Sequence, residues 1–307
     1  MILKRLGVII NPAAGNGAGR IEGEKAISEL QRESEVLDLT GTSLAESEQK
    51  AKNAIENLLI DGLVVVGGDG MTHLGINLCA EADLPLGIVA AGTGNDAARA
   101  LGLPIGDAVA GARVVINNLR QPRSVDLVKA KSSTGDFWYF GSLSVDFVAL
   151  VNQRANGWKW PKGPSRYKWA MIAELAAFKP VQYSAVIDGE QKDFEAMLCS
   201  IGNSPYFGGG MKVAPMSKID DGYLDIFIVN KISRFELLKV FPKVYTGEHV
   251  THPAVEFIRA KEVTLTSVKH MPAFSDGEAG GFAPVTATIM PGALKVYATS
   301  ARTSSVA

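Results

Sequence analysis

The stretch VVVGGDGMTHLG, residues 64–75, runs from three valines directly into Gly-Gly-Asp-Gly. Consecutive β-branched residues favour a buried strand, and glycines just after a strand favour a loop that lets a ligand approach the backbone. The residues that follow Met71 have helical character, so the segment predicts a strand, a glycine loop and a helix in succession. Asp69, in the middle of the loop, needs a separate explanation if the ligand is a phosphate.

The same order of strand, loop and helix recurs through the first third of the chain. Strand-like apolar segments lie at residues 6–10, 35–39, 63–66 and 84–90. Helical segments lie between and after them, at residues 20–33, 44–59, 72–82 and 96–101. Nearly uninterrupted apolar strands that alternate with helices are typical of a parallel sheet covered on both faces. We therefore predict an α/β domain with a parallel sheet.

Beyond about residue 120 the pattern changes to consecutive strands. Strand-like segments run from RSVDLVKAK (123–131) to ALKVYATS (293–300), with helical candidates at residues 166–178 and 234–245. This pattern predicts a second, mainly antiparallel β domain. The predicted domains are residues 1–127 and residues 128–307, and the last strand is a candidate to return to the first domain.

The composition excludes several classes of protein. A net charge of −1 gives no overall attraction to nucleic acid or to anionic membranes. No stretch approaches the roughly 18 apolar residues of a membrane span, and the N-terminal apolar run breaks at Pro12, unlike a signal peptide. Cys79 and Cys199 lie in apolar segments and are expected to be small buried hydrophobes in a reducing compartment. We expect a cytoplasmic protein whose membrane contact is peripheral.

Three glycine-rich loops each follow a predicted parallel strand. They are NPAAGNGAGR (11–20), GGDGMTHLG (67–75) and AAGTGNDAARALGLP (90–104). In open α/β sheets the ligand binds beyond the carboxyl ends of the strands, where such loops converge. N–H groups at the start of a following helix attract phosphate. The three loops together predict a phosphate-binding site.

Two acidic loop residues, Asp69 and Asp96, narrow the choice of phosphate ligand. The chain has no GxxxxGK[ST] motif, which excludes a Walker-type nucleotide site. Gly92, Gly94 and Ala97 fit a relaxed dinucleotide fingerprint, but that fingerprint needs a loop free of acid. Carboxylates beside phosphates are tolerated when a divalent cation bridges them or when they cap a helix. We therefore predict a site for a phosphate together with Mg²⁺.

The ordered motifs resemble the diacylglycerol kinase catalytic-domain family. Asn-Pro-x-x-Gly follows the first strand, Gly-Gly-Asp-Gly follows a valine-rich strand, and Gly-Thr-Gly-Asn-Asp opens a helix. In the second half, KIDDGYLD (218–225), GEHVTHP (247–253) and SDGEAGG (275–281) look like segments of soluble bacterial diacylglycerol kinases and related lipid kinases. Sphingosine and ceramide kinases belong to the same family, and ATP–NAD kinases and 6-phosphofructokinases are more distant relatives.

This resemblance implies an N-terminal α/β nucleotide domain of the phosphofructokinase and NAD-kinase type and a C-terminal antiparallel β-sandwich, with the active site in the cleft between them. It also implies which residues bind ATP. They come from the three loops and from the segment LDLTG, and they are Asn11, Pro12, Gly15, Thr40, Gly67, Gly68, Asp69, Gly70, Thr93 and Asn95. Residues 67–70 would hold the phosphates and the catalytic Mg²⁺.

For the second half, the resemblance implies a carboxylate base and a second metal site. Asp276 or Glu278 would be the general base, and Asp126 would support that base. A structural Mg²⁺ would be bound by one carboxylate and two backbone carbonyls, at Asp221, Lys218 and Tyr223. Phosphoryl transfer suits this set, because it needs positioning, charge neutralisation by a metal and a carboxylate near the attacking hydroxyl.

The sequence departs from the family pattern just after the second glycine loop. Where the family usually has Thr, and then Asn-Glu two and three residues further on, this chain has Met71, His73 and Leu74. The exchange removes a hydroxyl near the phosphates and an acid from the helix. We expect these changes to affect phosphate contacts and substrate identity more than kinase chemistry.

Two histidines, His249 and His252, lie three residues apart beside Glu248. Their spacing differs from that of the zinc-binding HExxH helix, and Pro253 favours a loop. We therefore predict a structural or substrate-cleft role for them.

Residues 158–169, WKWPKGPSRYKW, hold three of the four tryptophans and four basic residues without an acid. Such a mixture suits a membrane interface, where Trp lies at headgroup depth and basic residues meet anionic lipid. An ordinary exposed loop and a nucleic-acid contact are the alternatives. Beside the lipid-kinase resemblance, we favour peripheral contact with the inner face of the membrane and no nucleic-acid partner. An edge of the β domain is a candidate surface for a homodimer.

The combined prediction is an ATP- and Mg²⁺-dependent lipid kinase that converts diacylglycerol to phosphatidic acid. The alternatives are a kinase of a soluble acceptor such as NAD or a sugar phosphate, a nucleotide-sensing protein without catalysis, and a dinucleotide-binding oxidoreductase. The departures at residues 71–74 favour the sensing protein. The presence of both Asp276 and Glu278 argues against it.

Overall fold

A computed structural model gives the fold and describes residues 3–145, 150–151, 154–155, 157–158, 164–177, 179–267 and 272–299. The chain divides into two compact units. Unit 1 consists of Met1–Val125 and Gly292–Ala307, and unit 2 consists of Asp126–Pro291. The boundary predicted from the sequence lies between residues 127 and 128.

Unit 1 alternates strands with helices. Its strands are β1 (Lys4–Ile10), β2 (Ser34–Asp38), β3 (Gly62–Gly67) and β4 (Leu86–Ala90). Its helices are α1 (Ala14–Gly17), α2 (Gly19–Leu30), α3 (Leu44–Glu56), α4 (Asp69–Ala80), α5 (Asp96–Ala100) and α6 (Ala108–Asn118). β1 pairs in parallel with β2 and with β3, and β3 pairs in parallel with β4. The predicted parallel α/β architecture is confirmed.

The core of unit 1 explains why β3 is a continuous apolar run. β3 is buried along its whole length. Val64 and Val66 of β3 pack in one cluster with Leu30 of α2 and Val115 of α6. A strand covered in this way gains stability from apolar residues at every position, so its sequence is a continuous apolar run.

Unit 2 is built mainly from strands. They are β5 (Arg123–Ser132), β6 (Gly135–Tyr139), β7 (Ser142–Val145), β8 (Val181–Ile187), β9 (Glu190–Gly202), β10 (Leu224–Asn230), β11 (Val255–Ala260), β12 (Glu262–Ser267), β13 (Pro272–Ser275), β14 (Glu278–Phe282) and β15 (Val285–Val296). Its helices are α7 (Pro164–Ala177) and α8 (Arg234–Val240), with 3₁₀ turns at Phe241–Val244 and Glu248–Thr251. β5 begins in unit 1, and β15 ends there.

The strands of unit 2 follow the order β14-β13-β7-β9-β8-β12-β15, and β10 pairs with β9 and with β11. The described registers within this unit are antiparallel. The end of β15 pairs in parallel with β4 through Val296 and Leu86, both of which belong to unit 1. The predicted C-terminal antiparallel β domain is confirmed.

Two further expectations concern cysteine and membrane crossing. Cys79 and Cys199 are both buried, and neither forms a disulfide. Burial raises the pKa of the Cys79 thiol, which keeps it protonated and unreactive. Within the described part of the chain, no helix combines the length and the apolar composition that crossing a bilayer requires.

Candidate functional site

The three glycine loops of unit 1 lie against one another beyond β1, β3 and β4. A Cβ added to Gly92 would come within 2.3 Å of the Gly68 Cα, so the second and third loops touch through their backbones. A Cβ added to Gly15, which has a φ of +56°, would come within 2.8 Å of the Ala91 carbonyl oxygen. The first loop therefore also contacts the third. Close packing of the loops requires these glycines independently of any ligand.

Asp69 connects the second loop to the third. Its Oδ2 accepts a hydrogen bond from the Asn95 N–H at 2.8 Å, and its Oδ1 accepts one from the Asp96 N–H at 2.7 Å. These two N–H groups open helix α5, so the carboxylate caps that helix. A Cβ on Gly94 would come within 2.0 Å of Asp69 Oδ2, so the cap requires a glycine there. The helix-cap explanation for the acidic loop residue is therefore observed.

Asn95 holds the third loop in shape. Its backbone is left-handed, with a φ of +58°, and its side chain is buried. Its Oδ1 accepts a hydrogen bond from the Gly92 N–H at 3.1 Å, and its Nδ2 donates one to the Gly92 carbonyl at 2.8 Å. Thr93 is exposed between them. The Asn95 side chain therefore stabilises the backbone of this loop, whereas Thr93 is exposed to solvent.

The residues predicted around the first loop fix the end of β1. The Asn11 N–H donates to the Val66 carbonyl at 2.9 Å, and the Asn11 Oδ1 accepts a hydrogen bond from the Ala13 N–H at 3.0 Å. Thr40 Oγ1 accepts a hydrogen bond from the Ile10 N–H at 3.0 Å. Pro12 is exposed beside them. The fold thus places Thr40 next to the first loop, and its contact with a nucleotide stays a prediction.

Helix α4 begins at Asp69, with Gly68 as its N-cap, which is earlier than the predicted start at Thr72. The glycine loop therefore forms the first helical turn, and Gly70 in that turn is exposed. The first N–H groups of a helix have no partner within the helix, and the helix dipole favours an anion there. Met71 is buried, and its side chain packs against Gly67.

Asp276 lies in the turn between β13 and β14. Asp276 and Gly277 have φ values of +49° and +90°, and the flanking residues Ser275 and Glu278 pair across the strands. Two residues with positive φ form the tight hairpin turn for which Asp-Gly is a preferred sequence. The segment SDGE is therefore a hairpin turn, and its possible chemical role depends on where the turn places the carboxylate.

The Asp276 carboxylate is held by three backbone N–H groups. Its Oδ2 accepts a hydrogen bond from Phe140 at 2.9 Å, and its Oδ1 accepts hydrogen bonds from Gly141 at 2.9 Å and Ser142 at 3.0 Å. We call these three N–H groups the Asp276 cradle. A Cβ on Gly141 would come within 2.6 Å of Asp276 Oδ1, so the cradle requires that glycine. Three N–H donors stabilise an ionised carboxylate and fix its position.

The residue next to the Asp276 cradle is a buried tyrosine. Tyr139, which precedes the cradle, is fully buried and donates a hydrogen bond to the Ile201 carbonyl at 3.2 Å. Burial, and then the charge of Asp276, raises the pKa of the Tyr139 hydroxyl well above its usual value. Glu278, by contrast, is exposed at the first position of β14. The two candidate bases therefore differ, since one is fixed and the other is exposed.

Asp126 is buried and linked to the loop that precedes β10. Its Oδ2 accepts a hydrogen bond from the Gly222 N–H at 2.7 Å, and its own N–H donates to the Ile219 carbonyl at 2.7 Å. This loop, residues 218–223, contains the predicted structural metal ligands. Asp126 and the 218–223 loop therefore hold each other in place.

Asn203, which was not predicted as a site residue, connects Asp126 to the Asp276 cradle. Its Nδ2 donates to the carbonyls of Asp126 at 3.1 Å and Phe140 at 3.3 Å, and its N–H donates to the Gly141 carbonyl at 2.9 Å. Its side chain has no solvent exposure. Two bonds from its buried side-chain amide and one from its backbone N–H therefore link the backbone of Asp126 to the backbone that holds Asp276. Its place just after the buried, mostly apolar second half of β9 was the available signal.

The positively charged side chain of Arg259 lies next to the predicted structural metal ligands. Asp221 Oδ1 accepts a hydrogen bond from the Tyr223 N–H at 3.2 Å, and its Oδ2 accepts one from Arg259 Nη2 at 2.5 Å. Lys218 is exposed in the same loop. Because the guanidinium already pairs with the Asp221 carboxylate and would repel Mg²⁺, this arrangement does not fit a bound metal. In the part of the chain that the structure describes, no three acidic, histidine or cysteine side chains form a metal-binding group.

Asp69 differs from Asp221 in this respect. Its described partners are neutral backbone N–H groups, one on each carboxylate oxygen. A carboxylate oxygen has two lone-pair positions, so a carboxylate can accept a backbone N–H and bind a cation at the same time. The donor chemistry of Asp69 therefore fits a divalent cation or a water bound to one.

His249 has a structural role. It is buried, its Nε2 lies 2.9 Å from the Val213 carbonyl oxygen, and its ring meets the Phe227 ring edge-on at 5.7 Å. Burial lowers its pKa, which keeps the imidazole neutral. His252 lies apart from it, with its Nε2 3.2 Å from Glu236 Oε1. Of the two roles predicted for these histidines, the structural one fits His249.

The predicted membrane segment, residues 158–169, falls largely outside the described side chains. Residues 159–163 are not among the described residues, and residues 164–168 contribute the first turns of α7. Trp158 is partly buried against an apolar cluster, whereas 57% of Trp169 is exposed. Membrane contact through this segment stays a prediction.

Both halves of the chain match known families. Residues 5–130 match the diacylglycerol kinase catalytic domain, and residues 141–298 match the YegS C-terminal NAD kinase beta sandwich-like domain. The chain is 34% identical over 291 residues to a diacylglycerol kinase of Mycobacterium tuberculosis, covering 94% of this chain and 93% of that protein. It is 26% identical over 286 residues to a diacylglycerol kinase of Bacillus subtilis, covering 92% of each.

A crystal structure of a diacylglycerol kinase from Bacillus anthracis has the same fold. It matches with a TM-score of 0.73 and 19% identity, covering 96% of this chain and 97% of that chain. The likeness agrees with the two family matches and with the α/β and β-sandwich architecture predicted from the sequence.

Proposed function

The chain belongs to the diacylglycerol kinase family, and on that premise we propose that it transfers the γ-phosphate of ATP to the free hydroxyl of diacylglycerol and so forms phosphatidic acid. Membership makes the protein a phosphotransferase with an alcohol acceptor. The observation that carries the proposal is the convergence of three glycine loops on the start of helix α4. Backbone N–H groups in such a place bind phosphate oxygens without side chains.

In this proposal the loops of unit 1 bind the ATP phosphates. Gly70, exposed in the first turn of α4, offers close approach, and Thr93 offers a hydroxyl from the third loop. Asp69 would hold the divalent cation, which, when bound, neutralises charge on the phosphates. Asp69 also fixes the third loop through its cap on α5, so the loop geometry does not depend on the nucleotide.

The acceptor hydroxyl must lose its proton as its oxygen bonds to the γ-phosphorus and as the bond to the β–γ bridging oxygen breaks. We assign the acceptance of this proton to Asp276 in preference to Glu278. A proton acceptor has to be ionised and held in position, and the Asp276 cradle provides both conditions. Asp126, through Asn203 and the 140–142 backbone, would position Asp276.

The lipid substrate places the enzyme at a membrane surface during turnover. Trp169, exposed on α7, is a described residue of the 158–169 segment that suits an interfacial position. We propose a peripheral contact in this region, with the acyl chains in contact with unit 2. Vesicle binding that is weakened by Trp169→Ser but not by Leu58→Ser, a change of an exposed apolar residue of unit 1, would support it.

The test of the proposed function is transfer of ³²P from [γ-³²P]ATP, with Mg²⁺, to a panel of acceptors. The panel contains mixed micelles of diacylglycerol, monoacylglycerol, ceramide and sphingosine, with NAD as a soluble acceptor. A diacyl lipid that lacks the free hydroxyl is the matched control substrate. We expect labelled phosphatidic acid, no label on the control lipid and no product without a divalent cation.

Other outcomes reassign the substrate or the function. Label on ceramide or sphingosine alone would keep the reaction and change the lipid. Label on NAD would move the assignment to a soluble acceptor. Measurable binding of Mg-ATP without any labelled product would favour a nucleotide-sensing protein.

A further inference from the structure

Arg259 supplies a permanent positive charge to the 218–223 loop. Its Nη2 donates to Asp221 Oδ2 at 2.5 Å, and its Nε lies 3.8 Å from Asp225 Oδ1. The guanidinium also lies over the Tyr223 ring, 4.3 Å from the ring centroid. Two carboxylates and one aromatic face therefore surround a single cation.

The pairing of β10 with β11 places Arg259 beside Asp225. Asp225 on β10 and Arg259 on β11 are direct partners in the antiparallel register. Direct cross-strand partners lie side by side, so the sheet itself brings the guanidinium to the acidic pair. The Asp221 side chain then reaches the same guanidinium from the loop that enters β10. The register of β10 and β11 therefore determines that Arg259 and Asp225 lie close together.

Asp225 is a buried carboxylate that a nearby positive charge stabilises. It is only 3% exposed, and its Oδ1 lies 3.8 Å from the Arg259 Nε. A buried carboxylate without a partner is strongly destabilising. In proteins that lack such a residue, a divalent cation is one way to neutralise two neighbouring carboxylates. Here the guanidinium supplies the positive charge that faces both carboxylates.

We propose that Arg259 takes the place of a structural Mg²⁺ in this chain, so that the 218–223 loop is ordered without any metal. The guanidinium donates to Asp221, faces Asp225 and stacks on Tyr223. These contacts join the loop to β10 and β11. A planar guanidinium is suited to this combination because it forms hydrogen bonds in its plane and stacks through its face.

The proposal has a consequence for Asp126. The loop held by Arg259 supplies the Gly222 N–H to Asp126 Oδ2 and the Ile219 carbonyl to the Asp126 N–H. Arg259 is therefore a positioning residue for Asp126, and this one step rests on the proposed function. The metal independence of the loop does not rest on it.

The test is thermal unfolding of the nucleotide-free protein in excess EDTA and in millimolar Mg²⁺, with metal content measured after purification without chelator. We expect wild-type protein without stoichiometric metal and with the same Tm in both buffers. Arg259→Met keeps much of the stem and removes the charge. It should lower the Tm in EDTA by about 3–6 °C, and Mg²⁺ should restore part of that loss.

Two further variants separate the effect of the Arg259 guanidinium from the effect of any positive charge near the loop. Arg259→Lys should unfold between wild type and Arg259→Met, and Mg²⁺ should not change its Tm. Lys261→Met removes a second cation, 5.7 Å from the same Tyr223 ring, and should show no Mg²⁺ dependence. Since these readouts involve neither nucleotide nor lipid, they are independent of the proposed function.

Several results would overturn the inference. Stoichiometric metal in the purified wild type would show that a cation binds despite Arg259, and so would a wild-type Tm that falls in EDTA. An unchanged Tm for Arg259→Met would show that the guanidinium does not order the loop. If Arg259→Met does not fold, the wild-type comparison and Arg259→Lys still decide the question.

Discussion

Two hairpins of unit 2 contain the same three residues, Asp-Gly-Glu, at residues 188–190 and 276–278. In the first, Asp188 and Gly189 have φ values of +47° and +91°, nearly the same as those of Asp276 and Gly277. In each hairpin the aspartate and glycine form the turn, and the glutamate begins the next strand. Sequence and local backbone therefore do not distinguish the two hairpins.

The two carboxylates also bind backbone in the same way. Asp188 Oδ1 accepts hydrogen bonds from the Lys261 and Glu262 N–H groups at 2.9 and 2.8 Å, much as Asp276 does from residues 140–142. The N–H of Asp188 donates back to the Glu262 carbonyl at 3.0 Å, and the N–H of Asp276 donates back to the Ser142 carbonyl at 3.1 Å. An Asp-Gly turn whose carboxylate binds the backbone of a neighbouring segment thus occurs twice in unit 2.

The difference between the hairpins is in what the docked strand is connected to. Asp188 is exposed, and so are the residues Lys261 and Glu262 on which it docks. Asp276 is half-buried, and its cradle is joined through Asn203 to the buried Asp126. A chemical role for a carboxylate therefore cannot be assigned from the motif. The Asp188 hairpin provides a control within the same molecule.

The largest expected difference between the hairpins is in catalysis. Asp276→Asn removes the proposed proton acceptor and should lower the rate of phosphatidic acid formation by about 10²- to 10⁴-fold. Asp188→Asn makes the same chemical change in the same turn and should leave the rate within about twofold. Initial rates of ³²P transfer to diacylglycerol measure both. Equal losses would mean that the docked turn has only a structural role.

A smaller loss should follow when the Asp276 carboxylate is displaced and not removed. The methyl group of Gly141→Ala would lie 2.6 Å from Asp276 Oδ1 and must push the carboxylate away. We expect a rate loss of about 10- to 100-fold, because small misplacements of a reacting group are costly. Gly202→Ala is the control, since its methyl group makes only ordinary contacts, with 3.6 Å to the Asp225 carbonyl oxygen.

The glutamates of the two hairpins should differ less. Glu278→Gln changes an exposed side chain next to the proposed acceptor and should reduce the rate by less than about tenfold. Glu190→Gln, the corresponding change in the first hairpin, should have no effect on the same assay. A loss in Glu278→Gln as large as that in Asp276→Asn would transfer the role of proton acceptor to Glu278.

The smallest expected difference is in stability. Each Asp→Asn change weakens hydrogen bonds to backbone N–H groups, at a cost of about 1–3 kcal/mol for the half-buried Asp276 and less for the exposed Asp188. Urea unfolding of the two variants measures the free energies of unfolding. If Asp276→Asn were unfolded under assay conditions, its activity loss would say nothing about chemistry, so this measurement accompanies the first.

The fold class could be predicted because β1, β3 and β4 of unit 1 contain continuous apolar runs. Helix α6, with the sequence AVAGARVVINN, was not predicted. Gly111 and three β-branched residues in a row lower its helix propensity. The structure shows why the helix forms. Asp107 caps it by accepting a hydrogen bond from the Ala110 N–H at 2.9 Å, and Gly111 allows close packing on Val89. Tertiary packing thus outweighs weak local preference.

The glycine loops of the candidate site could be predicted because backbone contact between loops demands glycine itself. The partners of polar side chains could not. Asp69 caps a helix 26 residues away, and Asp221 meets Arg259 across 38 residues. The Asn203 link to Asp126 spans 77 residues. A single sequence has no periodicity or spacing that reports such pairs, so these roles emerge only from the folded chain.

The measurement that tests the account most directly is steady-state kinetics of Asp276→Asn beside Asp188→Asn, with Mg-ATP and short-chain diacylglycerol each varied. The account predicts that Asp276→Asn loses kcat by about 10²-fold or more. Its KM values for both substrates should stay near wild type, and Asp188→Asn should match wild type in every constant. An Asp276→Asn enzyme that keeps its kcat and loses affinity, or an Asp188→Asn enzyme with an equal loss of kcat, would contradict the account.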